Sequence, residues 1–373
     1  MRPANIAHLG VKELRSLGRD PVLLVLILYA FTFAIYSAAT AMPETLNRAP
    51  IAIVDEDGST LSGRLTGAFY PPHFVGPALI DQDQMDAGMD AGDYLFALDI
   101  PPDFQHDLLA GRSPSVQLNV DATRMSQAFA GSGYVREIVN SEVAAFLAHH
   151  RADPRPPVDL ALRARFNPEL NKSWFGSVME VINNITMLSI VLTGAALIRE
   201  REHGTVEHLL VMPVTPFEIM SAKVWAMALV VLAATTLSLT LVVRGWLAVP
   251  IEGSLLLFLT GAALHLFATT AMGIFLGTIA RSMPQFGLLI ILVLLPLELL
   301  SGGVTPRESM PELVQLAMLA APTTQFVMLA QAILYRGAGF GIVWPQFAAL
   351  AVIGTLLFLL ALTRFRRSLA TLA

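Results

Sequence analysis

The sequence predicts a mainly α-helical polytopic membrane protein: six transmembrane helices, with a large α/β extracytoplasmic domain between the first and the second. Three observations predict it. Hydrophobic residues make up 54% of the 373 and charged residues only 14%, against about 25% charged in a soluble chain. Six runs approach the roughly 20 apolar residues that a spanning helix needs. Roughly 130 residues of a different character, enough for an independent domain, separate the first two runs.

The runs are Val22–Ala41, Val178–Ile198, Ala222–Val243, Ser254–Ala280, Gln285–Gly303 and Phe347–Thr363. Before them, residues 1–20 interleave Ile6, Leu9, Leu14 and Leu17 with Lys12, Arg15 and Arg19, as a basic amphipathic helix on the cytoplasmic leaflet does. Asp20 suits an N-cap and Pro21 a first helical turn, so the first transmembrane helix takes residues 21–42. Ala39-Thr40-Ala41 has the small-residue spacing of a cleavage site. The apolar run is too long for a signal peptide, whose core has about 7–15 residues.

A further apolar stretch, residues 310–335, is divided by Pro322 into pieces of about a dozen residues, short for a span and suited to a re-entrant or interfacial segment. Glu308, Glu312, Gln315 and Gln325 fit an interface there, and Trp344 can anchor the final helix. With six spans, one side's short loops collect Arg2, Lys12, Arg15, Arg19, Arg199, Arg201, Lys223, Arg281, Arg364, Arg366 and Arg367; the other side's hold Arg244, Arg307 and Arg336. The positive-inside rule then predicts both termini in the cytoplasm and the large domain outside. A seventh span would reverse the basic C-terminus.

The outer domain, residues 43–175, carries the chain's acidity. From Pro43 to Lys172 eighteen acids face ten bases, a balance of -8 within a total of -5. Pro50–Val54 and Tyr94–Ile100 read as buried strands and Val116–Val120 as a half-buried one; Pro102–Ala110 and Ser126–His149 read as helices. Arg151–Pro157, with three prolines, is a stiff connector. Asp55-Glu56-Asp57-Gly58-Ser59 resembles the start of a calcium loop, but its twelfth position is Thr66 instead of Glu, which favours a solvated turn. His149-His150 lacks metal-site spacing. No metal and no cofactor is expected in this chain.

Function is constrained first by what is missing. There are no cysteines, hence no thiolate chemistry. No stretch matches the phosphate-binding G-x-x-x-x-G-K-[ST] loop, so the chain is not expected to be an enzyme that hydrolyses nucleotide. Nothing in the charge suggests nucleic acid as a partner; the partner its composition demands is the lipid bilayer.

The informative segment is residues 199–213, a charged run stopped by Pro213. Thr215, Pro216 and Glu218 then form a capping box that starts a new helix. By spacing alone this is either an ordinary connector or a rigid elbow that passes on a push from a cytosolic partner. The run from Glu200 to Lys223 (E-R-E-x-G-T-x-E-x-L-L, then Pro213, Glu218-Ile219 and Lys223) resembles the signature of ABC-2 type permeases, the membrane subunits of ABC exporters. The likeness extends along the chain through Asn167-Pro168, Trp174-Phe175, Ser301-Gly302-Gly303, Pro306 and Met310-Pro311.

That resemblance implies a cytoplasmic coupling helix at 199–213 with Glu202, Gly204, Thr205, Glu207, Leu209 and Leu210 against a separate ABC ATPase subunit, which would hold ATP and magnesium. It also implies a second permease half, as homo- or heterodimer, a periplasmic membrane-fusion adaptor, and the bacterial inner membrane as location. The expected function is export of a hydrophobic or amphipathic substrate. The alternatives are a non-transporting receptor or adaptor-docking protein with a ligand-binding outer domain and, behind it, a proton-coupled carrier.

Polar groups inside membrane helices are functional candidates. Glu298, His265, Asn183 and Asn184 are therefore candidates for a translocation path. Against this, Glu298 can reach the outer interface, and His265 and the asparagines can tie helices together.

Overall fold

The computed structural model describes residues 2–40, 48–121, 125–150, 172–202, 213–305 and 307–370. Its contacts divide into two units, Pro43–Arg163 and the remainder.

In the first unit, strands β1 (Ile51–Asp55), β2 (Ala78–Leu79), β3 (Phe96–Ile100) and β4 (Gln117–Val120) form a sheet of order β2-β1-β3-β4. β1 runs parallel to both neighbours, with Ile53 opposite Leu98, and β3 pairs antiparallel with β4. β1 is buried on both faces, as its unbroken run Ile-Ala-Ile-Val requires. Helices α4 (Thr60–Gly67), α6 (Phe104–Leu109) and α7 (Met125–His150) pack on one face over Ile51, Ile53, Phe74 and Leu98. Helix α5 (Gln82–Ala91) covers Ala52, Val54 and Ala97 on the other through Met85 and Met89. The sequence reading placed three of the strands and two of the helices; α4 and α5, too polar to show periodicity, it missed.

The acidic turn after β1 is built as a helix start. Asp55 Oδ1 accepts from the backbone N–H of Asp57 (3.2 Å) and Gly58 (2.9 Å), and Oδ2 from Ser62 Oγ (2.8 Å). Ser59 and Ser62 form a reciprocal capping box for α4. Its carboxylate thus accepts hydrogen bonds within its own turn.

In the second unit, α1 (Pro3–Gly18) precedes a first apolar helix that breaks at Thr32 into α2 (Pro21–Phe31) and α3 (Phe33–Thr40). Then come α8 (Lys172–Glu202), α9 (Pro216–Leu237, prolonged as a π-helix to Trp246), α10 (Leu255–Ile279), α11 (Met283–Leu299), α12 (Glu312–Leu319), α13 (Pro322–Leu334) and α14 (Phe340–Ala370). Asp20 caps α2 by accepting from Val22 and Leu23 N–H at 3.1 Å. Among the described residues, five helices are long and apolar enough to cross a membrane: Pro21–Thr40, Trp174–Glu202, Pro216–Trp246, Leu255–Ile279 and Phe340–Leu369. Along its most apolar stretch the α8 span is 83% buried and the first span only 22%, so α8 is central and α2–α3 peripheral.

The expected fifth span, Gln285–Gly303, needs correction. Its helix is 17 residues and ends at Leu299, after Pro296 and before the bend that Gly302 makes with φ +97°. That length, about 25 Å, is at the short end of the roughly 17–25 residues that span a bilayer, so what changes is where the helix ends. The 310–335 stretch is two helices bent by 87°. Gln325, read as interfacial, is instead buried and donates to Leu319 O at 2.8 Å across the bend. The charged residues Arg199–Glu202 likewise continue α8 and do not begin a separate helix.

α8 and α10 approach closely. A Cβ on Gly273 would lie 2.6 Å from the Ile190 carbonyl oxygen, and one on Gly194 would lie 2.9 Å from the Gly273 carbonyl and run into the Phe286 ring. Small residues let membrane helices approach this way. Ser189 Oγ donates to Thr269 Oγ1 at 2.6 Å across the same seam.

Candidate coupling site and buried polar residues

Residues 203–212, and with them Gly204, Thr205, Glu207, Leu209 and Leu210, lie outside the described residues. What the structure describes is how both roots of that loop are held.

On the descending side, Glu202 Oε1 accepts from Met283 N–H at the start of α11 (3.0 Å). Arg201 donates to the carbonyl of Ala280, just after α10, at 2.8 Å and to Ser368 Oγ in α14 at 2.9 Å. Arg199 pairs with Asp20, the cap of α2. Glu200 faces Lys12 and Lys223, each at 2.7 Å. On the ascending side, Glu218 Oε2 accepts from Thr215 N–H (2.7 Å), Thr215 Oγ1 accepts from Glu218 N–H (3.3 Å), and Glu218 Oε1 accepts from Arg2 N–H (2.7 Å). The capping box expected from sequence is present, and one of its carboxylate oxygens also holds the start of α1.

Lys223 is the centre of this arrangement. It is 2% exposed and its Nζ lies 2.9 Å from Glu13 and 2.7 Å from Glu200. Two lysines and two glutamates from α1, α8 and α9 thus form a neutral cluster, with Lys223 and the glutamates shielded and Lys12 exposed at its edge. A buried ammonium is tolerable only when carboxylates replace its water shell. α1 lies along α9, with Gly10, Glu13 and Leu17 buried and Trp225 Nε1 donating to Ile6 O at 3.2 Å. Sequence reasoning counted Lys223 and Lys12 as orientation charges and overlooked Glu13. The available signal was its spacing: Gly10, Glu13 and Leu17 recur at helical intervals, so one acid shares the buried stripe.

The buried polar candidates fall in different places. His265, 0% exposed, shares a 2.8 Å hydrogen bond with Thr186 Oγ1 and stacks on Phe326 with centroids 4.1 Å apart, joining α10 to α8 and α13. Asn184 donates to Ala30 O at 2.8 Å and to Glu180 Oε1 at 3.3 Å, joining α8 to the first span. Asn183 is half-buried. Glu298 is half-buried on α11, with Oε1 shielded and without a hydrogen-bond partner among the described residues. No hydrogen bond among the described residues joins any two of these four.

Residues 21–363 match the family described as ABC-2 family transporter protein. Over 369 residues, 99% of each chain, the sequence is 64% identical to the inner membrane transport permease YhhJ of Escherichia coli K12. It is 27% identical to the probable multidrug ABC transporter permease YbhR of the same organism, over 95% of this chain and 96% of that one. YbhS, also named a probable multidrug ABC transporter permease there, is 27% identical over 89% of each. This polytopic chain therefore belongs to the ABC-2 transporter family, as a membrane permease subunit.

Proposed function

We propose that the chain is the membrane half of an ATP-driven exporter, coupled through the loop 203–212 to a separate ABC ATPase that holds ATP and magnesium. The observation that carries this reading is the anchoring of both loop roots. Through Arg199, Glu200, Arg201, Glu202 and Glu218, any displacement of the loop reaches α1, α2, α9, α10, α11 and α14 together. A mere connector needs no such ties. Two copies, or this chain and a related permease, would enclose the path, since so few spans make a poor pore alone. The named multidrug relatives support a hydrophobic or amphipathic substrate; an acidic domain of this size outside the membrane suits a periplasmic adaptor.

Coupling is tested by the double variant Gly204→Val, Glu207→Ala. Loss of a desolvated, charge-assisted contact weakens ATPase association by about 1.5–3 kcal/mol, roughly tenfold or more in affinity. The crowded glycine adds to the loss, while insertion stays normal. Wild-type ATPase binding and export in this variant would return the loop to a connector and bring the receptor reading forward.

Orientation is tested by labelling. Single cysteines replacing Arg15, His203 and Arg366 are expected to react only from the cytoplasmic side, and one replacing Asp121 only from outside. The absence of native cysteines keeps the background low. Outside labelling at Arg366 would mean that the bent α12–α13 pair crosses as a span.

A further inference from the structure

Of the three basic residues that the topology reading assigns to the outer short loops, the fold brings two, Arg307 and Arg336, to one cavity of about 520 Å³. It lies between the bend after α11, helix α13 and the start of α14, beside Phe175. Glu200 of the coupling cluster is at the other end of the same α8, roughly 40 Å away at 1.5 Å per residue.

The polar groups here are supplied with too few acceptors. Arg307 Nη1 donates to the thioether of Met328 at 3.0 Å, and Gln331 Nε2 to that of Met179 at 3.6 Å. Thioether sulfur is a weak acceptor. Arg307 Nε and Gln346 Oε1 are shielded from solvent without a partner among the described residues. No carboxylate is among the described lining residues, and neither arginine forms an ion pair among the described residues. Arg336 is exposed and adds a second positive charge, while the shielded Arg307 Nε, without a partner among the described residues, calls for an anion.

The arginine is also positioned. Gly302, with φ +97°, turns the chain so that a Cβ there would come 2.9 Å from Arg307 Cγ; glycine leaves room for the guanidinium stem. Around the polar interior, Phe175, Val304 and Ile342 are exposed apolar side chains. Charge inside and apolar surface at the rim match an amphiphile.

We propose that this cavity binds the phosphate of an anionic lipid headgroup. Arg307 and Arg336 take the phosphate oxygens, for which the planar guanidinium fork is suited. Gln346 Oε1 accepts a hydrogen bond from a hydroxyl of the same headgroup. The site goes beyond the export reading: it requires neither an ATPase nor a direction of transport, so it stands or falls separately.

The test is native mass spectrometry of the full-length protein in neutral detergent, titrated with phosphatidylglycerol or phosphatidylcholine. The wild type is expected to hold phosphatidylglycerol about tenfold more tightly, a difference near 1.4 kcal/mol. Arg307→Gln with Arg336→Gln should abolish the preference, and Arg307→Lys should reduce it, keeping the charge but not the fork. Arg244→Gln, at an exposed outer-loop base away from the cavity, should leave it unchanged. Equal retention of the two lipids by the wild type, or an unchanged preference in the double variant, overturns the proposal. Displacement of the lipid by inorganic phosphate at matching concentration would identify a soluble-anion site and overturn the lipid assignment.

Discussion

Replacing Lys223 with alanine is expected to destabilise the folded protein by about 3–5 kcal/mol, the usual effect of removing one partner from a buried ion pair. The magnitude follows from what stays behind. Glu13 and Glu200 are both largely buried, and Lys223 holds one oxygen of each at 2.9 and 2.7 Å. Lys12 contacts Glu200 too, but it is about half exposed and cannot neutralise two carboxylates. Glu13 would then draw water between α1 and α9, and α1 would become the first element to open. Limited proteolysis should cut first within residues 3–18, and thermal unfolding in detergent should begin earlier. The triple variant Lys223→Met, Glu13→Gln, Glu200→Gln should recover much of the loss, because the one charge it leaves, Lys12, is about half exposed to water. An alanine variant with wild-type unfolding and protease resistance would show that water already enters the cluster.

The second large effect is expected at Gly273. Leucine there must push its Cβ against the backbone of α8, 2.6 Å from the Ile190 carbonyl, where no rotamer change relieves the clash. Overpacking alone costs about 1–3 kcal/mol. As the helices part, the Thr186–His265 and Ser189–Thr269 hydrogen bonds are stretched as well, at about 0.6 kcal/mol each. A total of about 3 kcal/mol should appear as lower folded yield on size exclusion and earlier thermal unfolding. Gly273→Ala should show a smaller loss of the same kind. Gly287→Leu is the control, since a Cβ there meets nothing within 4 Å. Equal behaviour of Gly273→Leu and Gly287→Leu would mean that the α8–α10 seam is loose.

Both predictions concern contacts between segments distant in the chain, which is where reading the sequence stopped. The apolar run at Pro21–Thr40, the capping box at Thr215–Glu218 and the strand at Ile51–Asp55 are local, and each was legible. Length, periodicity and cap chemistry act within a few residues, so composition exposes them. The end of α11 at Leu299 was less legible. Hydropathy continues to Leu300 without marking where the helix stops, while the positive φ of Gly302 that turns the chain is a backbone property. Gln325 shows the same limit: a polar residue beside a proline suits an interface equally well as a buried staple across a bend.

By itself the sequence determined the class of the molecule. A charged fraction of 14%, with apolar runs of spanning length, leaves no soluble alternative, because such helices must find lipid or one another. The loop pattern from Glu200 to Lys223 pointed to the ABC-2 family, and the full-length relatives bear that out. Only the tertiary structure decided which charges are partners. Glu13 and Lys223 are separated by 210 residues and Arg201 and Ser368 by 167, yet each pair is in contact. Arg307 and Arg336 come to one cavity without a described carboxylate. Electrostatic energy depends on distance and on exclusion of water, neither of which is a property of position along a chain. The same residue types are therefore orientation signals in the sequence, and in the fold a buried clamp at one end of α8 and an open anion site at the other.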